Sequence, residues 1–307
     1  MFGPHTRRTT CALLTTGTLA LAGSACELNL NTEGLTATET RTFKVAGEPD
    51  LVLDTFDGSI EVHSWDRQEI EVEIERRAME QDLLDAIKVS AEQDGDRVVL
   101  KVTGPESRTR GVTIGVNISP SARLRVAMPR TAKLQASSGD GSIAVEDITG
   151  TVGLTTGDGS IRAVRLSGDV TVHSGDGSIR MERVEGRLNL ETTDGSIVLD
   201  AKPTVLRGRT GDGSIRVQIA PDAVMAEDWE LTSGDGSITL TLPSSFNAEL
   251  DAESGDGSVR SSHPAIRQEP RTDDDRESRR RTLKATMGQG GKVFRVRTSD
   301  GTVRIES

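Results

Sequence analysis

Tyrosine is absent from the 307 residues, and aromatic side chains of any kind make up only 2%. A conventional core draws much of its buried area from aromatics. The interior must therefore be assembled from small aliphatic side chains, as in folds that stack many short units. Proline is scarce, at 10 against 32 glycines, which leaves glycine as the main turn former. The histidines His5, His63, His173 and His263 are far apart in sequence and read as chance positions, surface ones where they lie in the folded chain. No HExxH, GxSxG or CxxC pattern occurs, so the sequence carries no recognisable metalloprotease, serine-hydrolase or dithiol machinery. Surplus positive charge is missing too. A net charge of −11 disfavours nucleic acid and anionic lipid headgroups, and is compatible with divalent cations, basic partners or neutral glycans.

The two cysteines, Cys11 and Cys26, both fall at the N-terminus. Arg7 and Arg8 precede a short, weakly apolar run from Ala12 to Ala22, followed by the small residues Gly23, Ser24 and Ala25. This is the layout of a signal peptide over residues 1–25. The apolar run is too short to span a bilayer, which takes about 20 residues. The segment Leu21-Ala22-Gly23-Ser24-Ala25-Cys26 is similar to a lipobox, although Gly23 stands where leucine is expected. Lipidation of Cys26 is the expected outcome, with simple secretion as the alternative. The chain is then an exported lipoprotein of the bacterial cell envelope, periplasmic or at the cell surface, with residues 26–39 as a polar tether.

What the sequence has in abundance is repetition. The pattern Asp-Gly-Ser/Thr-Ile/Val begins at Asp57, Asp140, Asp158, Asp176, Asp194, Asp212, Asp235, Asp256 and Asp300. From Asp140 to Asp212 the interval is a constant 18, and it then loosens to 23 and 21. Other positions keep the register: Ile143, Ile161, Ile179, Ile197 and Ile215 follow their Asp by three, and Val152, Val170, Leu188, Leu206 and Val224 follow by twelve. Apolar residues alternate with polar ones within each unit, the period-two pattern of a half-buried strand. A unit is thus two short strands, one after the Gly-Asp-Gly turn and one after a second turn at Gly150, Gly168 and Gly186. Glycine supplies the positive φ that tight turns need, and Asp can bond its own backbone two residues on. The units could form antiparallel hairpins, since Asp-Gly is a hairpin signal, or parallel coils of a solenoid. Constant unit length and column-by-column identity favour the second.

The expected fold is therefore all-β: a parallel β-solenoid, or β-helix, of roughly 18-residue two-strand coils. Residues 40–130 form a less regular β region, which includes a strand at Val112 to Ile118. One short helix falls near Met79 to Val89, where Leu83, Leu84 and Ile87 share a face. Residues 131–262 carry the regular repeats. Residues 263–289, with Asp273-Asp274-Asp275 and Arg279-Arg280-Arg281, form a charged loop, and residues 290–307 close the stack.

Three segments carry a family resemblance: TFDGSIEVHSW at 55–65, PRTAKLQASSGDGSIAVEDITG at 129–150 and GGKVFRVRTSDGTVRIES at 290–307. Together they resemble the bacterial putative-adhesin domain family of unknown function, over roughly residues 40–307. The resemblance implies a β-solenoid-like fold that is exported or membrane-anchored and has no established catalytic residues.

Two columns of side chains could carry chemistry. Stacked coils set Asp140, Asp158, Asp176, Asp194 and Asp212 about 4.8 Å apart. Neighbouring charges there repel by about 0.9 kcal/mol in a water-like medium, which one turn hydrogen bond of about 1 kcal/mol offsets. Calcium would relieve the repulsion. However, each unit supplies one carboxylate and the nonapeptide calcium pattern is absent, so a turn role is favoured and no cofactor is expected. Arg162, Arg180 and Arg216, with Arg260 and Arg304, form the second column; they either neutralise neighbouring acids or grip an acidic glycan. Trp65 and Trp229 are expected to be buried anchors at irregular coils. The reading is a non-catalytic, adhesin-like binding or structural module with an envelope polysaccharide or protein as partner and no nucleic acid. A sensory partner of an envelope-stress system is the alternative. A polysaccharide-active β-helix enzyme is third, because hydrolysis needs two specially placed carboxylates and here the acids recur evenly.

Overall fold

The computed structural model describes residues 27–31, 34–105, 119–266 and 281–307. The signal segment, Cys26, the strand expected at Val112 to Ile118 and the charge runs at 273–281, apart from Arg281, lie outside the described residues. Within them, 23 strands join one hydrogen-bonded sheet. The N-terminal part holds β1 (Glu27–Asn31), β2 (Gly34–Lys44), β3 (Asp50–Thr55), β4 (Ile60–Trp65), β5 (Glu69–Ala78), helix α1 (Gln81–Ala86), β6 (Lys88–Asp94), β7 (Arg97–Thr103) and β8 (Ser121–Pro129). The repeats supply β9 (Thr131–Ser138), β10 (Ile143–Glu146), β11 (Thr149–Thr156), β12 (Ile161–Val164), β13 (Ser167–Ser174), β14 (Ile179–Thr192), β15 (Ile197–Thr210), β16 (Ile215–Ile219), β17 (Trp229–Ser233) and β18 (Ile238–Thr241). The C-terminal part adds β19 (Ala248–Ser254), β20 (Val259–Ser261), β21 (Thr282–Met287), β22 (Val293–Thr298) and β23 (Val303–Glu306).

The parallel arrangement holds and the hairpin alternative does not. Successive units pair in parallel, with Ile143 beside Ile161, Ile161 beside Ile179 and Ile179 beside Ile197. One apolar file runs Leu124, Ile60, Ile143, Ile161, Ile179, Ile197, Ile215, Ile238, Val303, Val259, one residue per layer across ten layers. Every member is buried. A facing file contains Leu51, Leu134, Val152, Val170 and Leu188, likewise buried. Fully burying one such side chain contributes roughly 1.5–3 kcal/mol, so the files supply the interior that aromatics do not. One expected member is displaced: Val224 is 74% exposed. Extra residues between β16 and β17 push it out, and Trp229, which is fully buried, takes the core place. Its ring meets Phe294 edge-on at 5.4 Å and Phe246 at 5.5 Å.

Chain order and spatial order part company at both ends. The last strands in sequence do not close the stack. β22 lies between β17 and β19, and β23 lies between β18 and β20, all parallel. At the other end, β3 lies between β7 and β9, and β4 between β8 and β10. In each case a layer remote in sequence is inserted one place inside the outermost layer. Three of the four outermost parallel strands are then covered by antiparallel neighbours: β6 on β7, β5 on β8, and β21 on β19; β20 pairs only with β23 among the described residues. This arrangement covers edges that would otherwise be templates for association.

Two segment readings are corrected, and one residue. Residues 27–31 and 34–39 are not a tether. They form antiparallel strands, β1 on β2 and β2 on β5, with Ala37 buried in the core. The charged loop at 263–289 contains β21, whose Leu283 and Ala285 pack against the core. His263 is 2% exposed rather than a chance surface residue. Its Nδ1 accepts from the Ala265 N–H at 3.2 Å, so Nε2 donates to the Leu242 carbonyl at 3.2 Å. The helix forms at Gln81–Ala86, inside the expected segment, with Leu84 and Ile87 buried.

Candidate functional site

The Gly-Asp-Gly turns stack in file along one corner. Their glycines are not there for positive φ, which none of the repeat pairs from Gly139 and Gly141 onwards adopts. They are there because the layers touch. A Cβ on Gly159 would lie 2.2 Å from the Gly141 carbonyl oxygen, and one on Gly177 would lie 2.0 Å from that of Gly159. No side chain fits a contact that short.

The residue before each turn was not singled out by sequence reasoning, and it is the turn's organiser. Ser138, Thr156, Ser174, Thr192, Thr210, Ser233, Ser254 and Thr298 are buried hydroxyls in one file. Thr210 Oγ1 donates to the Gly195 carbonyl of the preceding layer at 2.8 Å and accepts the Gly213 N–H of its own turn at 3.1 Å. Thr192 does the same with Gly177 and Gly195, and Ser233 with Gly213 and Gly236. The signal was present in the sequence as an unbroken Ser/Thr two residues before each Asp from Asp140 on.

The Asp column is exposed on this corner from Asp140 to Asp300. Its N-terminal member, Asp57, is half-buried; burial, then the charge of Asp140, raise its carboxyl above the ordinary range. Column repulsion is thus felt where solvent screens it least. Among the described residues no group of three or more acids, histidines or cysteines is placed to hold a metal ion.

The Arg column is in register, with Arg162 beside Arg180, Val198 between Arg180 and Arg216, and Arg304 beside Arg260. Two of its members are ion-paired with acids two places further along the strand or in the next layer: Arg162 pairs with Glu182 at 3.3 Å and Arg304 with Glu306 at 3.7 Å. Arg180 and Arg216 have no ion pair among the described residues.

The opposite corner, between the first and second strands of each unit, holds another charged column. Asp147, Arg165 and Arg183 occupy equivalent places in successive layers with φ of 60°, 55° and 55°. Arg165 grips Asp147 with two guanidinium nitrogens, at 2.8 and 2.5 Å, and approaches Glu146 at 3.5 Å. The hydrogen bond from Arg165, then the charges of Arg165, Arg130 and Arg183, hold the Asp147 carboxyl below its usual range. At the N-terminal end of this corner, Trp65 is only half-buried, so it is not the buried anchor expected; Trp229 is.

Two strands per layer, ten layers and turns in file define a β-solenoid closed by antiparallel strands. The chain belongs to the Toastrack DUF4097 family, whose model matches residues 49–306. No curated protein matches the chain. Solved structures similar to it include a putative cell adhesion protein from Clostridium sporogenes, 12% identical, covering 88% of this chain and 99% of that one with a TM-score of 0.28. A putative adhesin from Bacteroides fragilis is 12% identical over 87% of this chain and 96% of its own, with a TM-score of 0.42. A putative lipid binding protein from Parabacteroides distasonis is 11% identical over 88% and 97%, with a TM-score of 0.34.

Proposed function

We propose that the protein is a non-catalytic binding module of the bacterial cell envelope, exported and lipid-anchored through Cys26, which presents its solenoid faces to an extended polymer. The observation that carries this reading is the register of the outer files. Parallel pairing repeats like side chains at one strand spacing, about 4.8 Å, as with Arg162 beside Arg180 and Arg304 beside Arg260. A surface periodic along its length suits a ligand that is periodic along its length. The net charge of −11 sets aside nucleic acid as the partner.

The test is binding of the purified protein to a panel of envelope and matrix polysaccharides, with new chain ends assayed in the same tubes. Binding without new ends is the expected result. New reducing or unsaturated ends would overturn the non-catalytic reading. No binding to any member of the panel would overturn the polymer-binding reading and turn the search to protein partners in the native envelope.

A further inference from the structure

A cleft of about 440 Å³ opens where the end of β4 meets the turn from β8 into β9. Trp65 lies beside Pro129 in the β4–β8 pairing, and together they give it an apolar wall. The indole N–H donates to the Glu69 carbonyl at 2.8 Å, which fixes the ring. The Arg67 guanidinium lies over one face of the ring, 4.8 Å from its centroid, a cation–π placement, and pairs with Glu69 at 3.5 Å, so a stacking sugar would use the opposite face. Glu48, Asp66 and Arg130 complete the rim. A fixed, half-exposed indole ringed by carboxylates and guanidinium groups offers what a pyranose needs: an apolar plate for its C–H face and charged partners for its hydroxyl and acid groups.

The corner leading away from the cleft carries a file of arginines interleaved with acids, and Arg130 pairs with Asp147 at 3.4 Å. Arg130 stands at the cleft and Arg165 and Arg183 follow in later layers; Asp147 and Glu146 engage Arg165, while Arg183 has no ion pair among the described residues. Asp147, Arg165 and Arg183 hold the left-handed backbone region, which costs a non-glycine residue roughly 1–2 kcal/mol. Glycine would relieve that cost, so the column retains charged side chains against a conformational penalty, the pattern of strain that accompanies functional surfaces. Layers rise by about 4.8 Å, comparable to one hexose residue of an extended chain.

We propose that the Trp65 cleft and the Arg165–Arg183 ridge together bind an acidic polysaccharide, one sugar ring stacking at Trp65 and the acid groups of following residues meeting the ridge. This inference rests on the polymer-binding reading above and narrows it to one ligand class and one corner. The experiment titrates the purified protein with polygalacturonate and with neutral dextran, followed by tryptophan emission and calorimetry, alongside Trp65→Ala, Arg67→Glu and Arg183→Glu. Polygalacturonate should change the emission of the parent protein, dextran should not, and Trp65→Ala and Arg67→Glu should each weaken binding by about tenfold or more. Arg67 and Arg183 are exposed, so their variants keep the test valid if Trp65→Ala fails to fold. Polygalacturonate bound equally by the parent and all variants would overturn this site while leaving the polymer-binding reading intact. Dextran bound as tightly as polygalacturonate would overturn the ligand class. No binding to any polysaccharide of the wider panel would overturn the polymer-binding reading itself, and this inference with it.

Discussion

Thr298 Oγ1 donates to the carbonyl of Gly236 at 2.7 Å, although the two residues are 62 positions apart in the chain. Within the repeats the same bond spans 15 positions, as between Thr210 and Gly195. One geometry therefore serves neighbours in sequence and strangers alike. It welds the last segment of the chain into the stack between layers made earlier.

The first prediction concerns that inserted layer. Phe294, Val296, Val303 and Ile305 are all fully buried, and both edges of the layer are paired. A chain ending at residue 289 should lose the packing around Trp229, whose ring contacts Phe294. Tryptophan emission should shift to longer wavelength, and protease cleavage should appear between β17 and β21. An unchanged emission maximum would show that the C-terminal layer is dispensable.

The hydroxyl file should be sensitive to loss of its oxygen at constant shape. Thr210→Val leaves the Gly213 N–H and the Gly195 carbonyl without their buried partner, at a cost of about 1–3 kcal/mol. Thr210→Ser should restore most of it. Thermal melting of the three proteins decides the matter; a valine variant as stable as the parent would remove the file from the account of stability.

Two glycine-to-alanine changes should separate close approach from open surface. In Gly177→Ala the new Cβ would meet the Gly159 carbonyl oxygen at 2.0 Å, whereas in Gly153→Ala the nearest atom is at 3.8 Å. The first should destabilise by at least about 2 kcal/mol through forced backbone movement. The second should stay within about 0.5 kcal/mol of the parent. Chemical denaturation measures both, and equal effects would contradict the layer contact.

The Asp57 carboxyl gives a pH dependence whose sign is fixed. Its folded pKa is raised above the value of 3.8 by burial and by Asp140. The folded state therefore holds the proton more tightly than the unfolded state, and stability falls as pH rises from about 3.8 through the raised value. Asp57→Asn should melt higher than the parent at pH 7 and show no such advantage at pH 3. A constant difference across that range would mean that the gain has another cause.

Much of the fold was written in the residues. Alternation at Ile143, Val145, Val152 and Leu154 determined strands with one buried face, because side chains of a strand point alternately to either side. The 18-residue interval determined that equivalent residues stack, since one layer contacts only its neighbours. The Asp and Arg columns followed directly. Three things did not. Every layer offers the same strand edges, so nothing local tells β22 whether to sit outside β19 or inside it; only the tertiary structure shows it between β17 and β19. Glycine was legible as a turn former, but its reason lay in the distance between layers, which no single unit encodes. And the cleft at Trp65 arises from β4, β8 and the turn into β9, where residues more than sixty positions apart become neighbours only because the layer containing β4 is inserted between those of β8 and β10.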